Sequence, residues 1–229
     1  DPVIPSDAVI LLAAGHVTRG LENARLVEEI VRRAESERQL THRLRALEEL
    51  TRISGTVSTL QELAERSARL INTALGASGT AYGLLAPDGE SYAVSHMADV
   101  RPAIAAWLLD ANPDQRTACK RWRAGEGSFL EAFVPGRATA ESLVLAREAG
   151  VTAYAAIPIR VDDVVIGGIA AYFDRPVEEL HLDRGALDRI ATVASISMAN
   201  FRLRERLEAA EQRSRAIFEA SPDAIVVST

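Results

Sequence analysis

The sequence predicts an α+β protein, an antiparallel sheet flanked by helices with a long helix at either end. Three observations predict it. Between Ala8 and Leu75 there is no proline, and glycine occurs only at Gly15, Gly20 and Gly55, while apolar residues recur at helical spacing. From Ser78 the rhythm changes to short apolar runs broken by turn residues such as Pro87-Asp88-Gly89. Near Asp183 helical spacing returns and lasts to about Ala216.

The first helix starts at Ser6 or Asp7, whose side-chain oxygens can accept the unpaired N–H groups of a first turn. Leu26, Ile30, Leu40, Leu44 and Leu47 follow one alternating four-three track, which also passes through the charged Arg33 and Glu37. So narrow a stripe suits a two-helix seam better than a broad core face. Gly55 is expected to interrupt the helix. A second helix carries Leu60, Leu63, Ala64, Leu70, Ile71 and Ala74, with Ser67 on the same face, and Gly76 is its natural stop.

Ser78–Pro87 and Ser91–Ala98 read as a hairpin around Pro87-Asp88-Gly89. Helices are expected over Pro102–Asp110 and Asp114–Arg123, a strand at Ser128–Val134, and a short helix over Ala138–Glu148 that ends at Gly150. Val151–Arg160, the turn Val161-Asp162-Asp163 and Val164–Phe173 make a second hairpin. Gly167 and Gly168 lie inside its last strand, where glycine marks a bulge or a close approach, here expected from a packed helix. In the last helix a four-three track links Ile196, Asn200, Leu203, Leu207, Ala210, Ser214 and Ile217. Asn200 either holds a seam position, where one polar residue sets register, or faces solvent.

Composition narrows the function. The chain has 229 residues, 48% hydrophobic and 25% charged, which suits a folded globular protein. Its net charge is −6, and its arginines alternate with glutamates, as over Glu37–Glu49, so no basic face for nucleic acid is expected. The single cysteine, Cys119, cannot form an internal disulfide. No run approaches the roughly 18 apolar residues of a membrane span, and no signal peptide is visible. A cytoplasmic location is expected.

The order of strands and helices from about Leu44 to Leu207 resembles a GAF domain. The most specific stretch is Ala149–Phe173, with Ile157-Pro158-Ile159, a short acidic turn and Ile166-Gly167-Gly168-Ile169; Asn200-Phe201-Arg202-Leu203 is similar to the family's N-x-x-L ending. The chain also resembles itself: the shift that takes Asn23 to Asn200 aligns Arg25, Leu26 and Glu28 with Arg202, Leu203 and Glu205. Residues 1–40 are therefore expected to be the exit helix of an upstream GAF-like domain and a linker helix, with the GAF domain at 41–210. Residues 211–229 are expected to be a linker and the start of a PAS domain, because Arg213–Ser228 resembles a PAS opening around Ser221-Pro222-Asp223. Such a layout is similar to that of multidomain bacterial signalling proteins of the sensor-kinase kind. The effector of the parent protein, whether histidine kinase, cyclase or phosphatase, stays open.

The resemblance implies that one sheet face lines a ligand cavity. Candidate walls are Tyr82, Val94, His96, Trp107, Trp122, Phe129 and Tyr154, with Leu84 and Ile157 beside them; the same residues also suit a plain core. Period-two alternation puts His96 on one face with Val94 and Tyr92, where it could ligate haem iron or bond a small molecule. Bilin-attaching members carry histidine after the attachment cysteine, whereas Lys120 follows Cys119. His16, His42, His96 and His181 show no metal-ligand spacing, and Asp162-Asp163 suits a turn. No catalytic residue is expected, and the residues name no cofactor.

The expected function is a non-catalytic sensory and dimerisation module, relaying a signal through coiled-coil helices to downstream domains. Leu26, Ile30, Leu40, Leu44, Leu47, Ile196, Asn200, Leu203 and Leu207 would form the interface of a parallel homodimer. The alternative is a receptor for a small molecule or haem.

Overall fold

The computed structural model describes residues 6–89, 91–110 and 117–220. Along the chain lie α1 (Ser6–Ile53), α2 (Leu60–Leu75), β1 (Gly79–Leu85), β2 (Tyr92–Ala98), α3 (Pro102–Asp110) and α4 (Thr117–Arg123). There follow β3 (Phe129–Ala132), α5 (Ala140–Glu148), β4 (Ala153–Val161), β5 (Val164–Phe173), a 3-10 turn at Val177–Glu179 and α6 (Arg184–Ala220). The strands form one antiparallel sheet in the order β2-β1-β5-β4-β3, giving the expected α+β class. The expected PAS opening around Ser221-Pro222-Asp223 and the first part of the helix expected from Asp114 lie outside the described residues.

Local chemistry explains the boundaries. Thr59 caps α2 by accepting the Glu62 N–H, and Gly76 ends it in the left-handed region at φ 60°. The β4–β5 hairpin turns on Asp162 and Asp163, at φ 51° and 62°. Two consecutive left-handed residues match the twist of the strands, and aspartate tolerates that region, so this acidic pair serves the turn.

Two units divide the chain between Leu44 and Arg45. The first is the earlier part of α1, where Leu26, Ile30 and Leu44 are exposed; the side chain of Leu40 lies outside the described residues. The second unit holds the sheet. Its main core joins Leu63, Ala64, Ala68 and Ile71 of α2 to alternate residues of the strands, including Tyr82, Leu84, Ile157, Ile159, Ile169 and Phe173. Leu187, Ile190, Ala194, Met198 and Phe201 of α6 close it, together with Leu50 and Ile53 at the end of α1. Leu47 is half-buried against this core rather than exposed like Leu44. The apolar face of α1 turns inward there because Leu50 and Ile53 bury one and two turns further on.

Two bulges set which side chains face away from that core. Leu84 pairs with Val94 but Leu85 pairs with Tyr92, so Ala93 is an extra residue in β2. Ile159 pairs with Gly167 but Arg160 pairs with Val165, so Ile166 is extra in β5.

Candidate functional site

The second sheet face carries Tyr154, Ala156, Ala170 and Tyr172, and α3, α4 and α5 pack near it. Between them lies a cavity of about 720 Å³, bordered by Tyr92, Trp107, Trp122, Phe133, Tyr154 and Tyr172 among others. Both tryptophans and every tyrosine of the chain border it, which makes it the aromatic centre of a chain with only 5% aromatic residues.

The first bulge brings Tyr92 here. The alternation expected through β2, with Tyr92, Val94 and His96 on one face, does not hold, because Ala93 shifts the phase. His96 pairs with Tyr82 and Val94 with Leu84, and paired residues share a face, so both side chains lie on the main-core side. Tyr92 pairs with Leu85 on the opposite face, and its phenol oxygen lies 3.6 Å from Cys119 Sγ.

Glycine makes room for two rings. A Cβ at Gly83 would stand 2.8 Å from Tyr92 Cε1, and one at Gly168 would overlap the Trp122 ring at Cη2. The expected close approach at Gly168 thus comes from α4. At Gly167 the neighbour is instead the adjacent strand, with the Gly83 carbonyl oxygen first in the way of a Cβ.

Of the other candidate walls, Trp107, Trp122 and Tyr154 border the cavity, while Val94 does not. Phe129 packs beside it, edge-on to Tyr154 at 5.9 Å and beneath the Arg121 guanidinium. Tyr82 and His96 also border the cavity, although their side chains share the core face. Leu84 and Ile157 belong to the main core. Phe133, which no sequence signal singles out, lies 4.9 Å from Tyr154, ring centre to ring centre.

One charged cluster lies behind Phe129 and Tyr154. Arg121 pairs with Glu131 and with Glu126, each at 2.7 Å. Burial pushes the Tyr154 phenol up to about 12; the Glu131 carboxylate adds to the shift and Arg121 opposes it.

The architecture and one comparison identify the family. A family model described as GAF domain matches residues 59–198. The chain belongs to the GAF domain family.

GAF domains are sensory and signalling modules. This GAF domain is similar in fold to the phycoerythrobilin-bound GAF domain of a cyanobacterial phytochrome, at 16% identity and TM-score 0.53, over 71% of this chain and 96% of that one. It is similar to the nlh2 GAF domain of A. aeolicus in an inactive state, at 17% identity and TM-score 0.52, over 72% and 99% of the two chains. A third neighbour is an enzyme, the free methionine-R-sulfoxide reductase of Neisseria meningitidis in complex with its substrate, at 14% identity and TM-score 0.52, over 71% and 89%. The chain spans 62% of the chromophore-binding domain of a bacteriophytochrome from R. palustris. No curated protein matches.

Two pigments raised by the sequence meet a poor fit in this GAF cavity. For haem, His96 borders the cavity, but its pairing with Tyr82 directs the imidazole to the main-core side of the sheet. For a bilin, Cys119 is buried beside the Tyr92 phenol, and exposed Lys120 supplies no neighbouring imidazole. Among the described residues no cluster of histidine, cysteine or carboxylate side chains could hold a metal, and no helix is long and apolar enough to cross a membrane.

On α6 of the GAF domain, Ile196, Leu203, Leu207 and Ile217 are exposed, Leu203 at 66% and Leu207 at 58%. Asn200 is exposed on the same track.

Proposed function

We propose that this chain is a non-catalytic sensory and dimerisation module whose cavity receives a small molecule and whose long helices pair with those of a second copy. One observation supports this above the others: two surfaces are separated on one sheet. The aromatic cavity lies on one face, and α6, with its exposed apolar track, packs on the other. A small molecule in the cavity would meet aromatic rings together with polar and charged side chains, among them Arg137, Glu141 and Ser142, which suits a ligand that joins a ring system to polar groups. The spacing of Ile196, Leu203, Leu207 and Ile217 suits a parallel two-stranded seam. Downstream domains, a PAS domain first, would receive the change in helix register or rotation.

Native mass spectrometry tests the seam. A dimer mass is expected for the chain, and a monomer for the Leu203→Glu/Leu207→Glu variant. A dimer that survives both substitutions would remove this seam. Tryptophan emission tests the cavity, since Trp107 and Trp122 both border it. Uncharged aromatic probes such as naphthalene methanol are expected to shift that emission saturably. No saturable shift with any such probe would remove the receptor reading.

A further inference from the structure

We propose that Arg160 couples the cavity wall to the outgoing helix, and this rests on the sensory reading above. Arg160 sits at the second bulge, where the extra residue Ile166 breaks the β4–β5 ladder. Its backbone N–H donates to Ser195 Oγ of α6 at 3.0 Å. Ser195 in turn donates to the Ala191 carbonyl one turn earlier, at 2.6 Å. The guanidinium of Arg160 reaches a helix on the cavity face. Its Nη2 donates to the Trp122 carbonyl at 3.2 Å and to the Glu126 carbonyl at 2.8 Å, holding the C-terminal end of α4.

One residue thus bonds through its main chain to the outgoing helix and through its side chain to a helix of the cavity wall. Trp122 is the contact on the cavity side. Its ring is seated against Gly168, and its Nε1 is buried with no partner among the described residues, so packing alone holds the indole. A molecule that displaces the indole moves the carbonyl to which Arg160 is bonded. The strain reaches α6 at Ser195, immediately before the exposed track that starts at Ile196. Charge-assisted bonds to two carbonyls make the link stiffer than packing would. A coupling of this kind travels through contiguous contacts, and Arg160 is bonded at both ends of this one.

The test needs no ligand, because Gly168→Ala displaces the indole from within. Hydrogen exchange is followed by mass spectrometry in the whole chain. Gly168→Ala is expected to speed exchange of α6 amides around Ser195 by about fivefold or more, with α2 changing less. That increment is expected to vanish in the Arg160→Ala and Ser195→Ala backgrounds. The absence of any rise in α6 overturns the proposal, and so does an increment that survives both backgrounds. An equal rise in α2 and α6, the mark of general loosening, overturns it as well. If Gly168→Ala does not fold, Trp122→Phe supplies the perturbation with the same readouts. Failure here leaves the receptor reading to the emission titration, which does not involve Arg160.

Discussion

Tyr92 fills the space over Gly83 on the neighbouring strand, its Cε1 only 2.8 Å from where a Cβ would stand. The Ala93 bulge brings the ring to that face, and the missing side chain seats it. Gly83→Val is expected to expel the ring and cost about 1–3 kcal/mol in urea unfolding. With the ring goes its contact to Cys119, so native-state thiol labelling should quicken. Unchanged labelling would show that Gly83 does not seat Tyr92.

Tyr154 gives the domain an alkaline limit. Its phenol is pushed up to about 12, whereas an unfolded tyrosine releases its proton at about 10. The native state therefore holds more protons across that window, and stability falls as pH rises through it. Below about pH 10 the contribution is complete. Tyr82, raised by burial, acts in the same direction. Tyr154→Phe should shrink the fall in urea midpoint between about pH 10 and about pH 11, the lower half of the window. An identical fall would exclude Tyr154 as a source.

The end of α1 is fastened to α6 by a buried bond, Ser197 Oγ to the Leu50 carbonyl at 2.8 Å. Ser197→Ala is expected to cost about 1 kcal/mol, read from the urea midpoint. Exchange over residues 46–53 should rise more than in α2.

The start of α2 depends on Thr59, whose Oγ1 accepts the Glu62 N–H at 3.1 Å. Thr59→Ala should lower stability by about 1 kcal/mol, while Thr59→Asp, which keeps an acceptor, should stay close to wild type. Equal losses in the two variants would place the cost elsewhere than the cap.

Asn200 separates the two readings of its position. In a paired seam, Asn200→Leu should raise the melting temperature in a concentration-dependent way, since a buried polar residue sets register at a cost in stability. On a solvent-facing helix the substitution leaves the melting temperature independent of concentration.

Much of this architecture is legible in the sequence because its signals are local. Gly76 marks where a helix stops, and Asp162-Asp163 marks a hairpin, through backbone preferences of one or two residues. The periods of the apolar residues separate α2 and α6 from the strands between them. The face of each strand residue is less legible. A bulge adds one residue without a distinctive composition, and Ala93 thereby moves Tyr92 to the cavity side while His96 and Val94 stay with the core. Likewise nothing near Arg160 in the chain foretells its partners, Trp122, Glu126 and Ser195, more than thirty residues away. Helix, strand and turn follow from sterics between neighbours in the chain, whereas a cavity and a bridge across a sheet arise only when distant segments pack together.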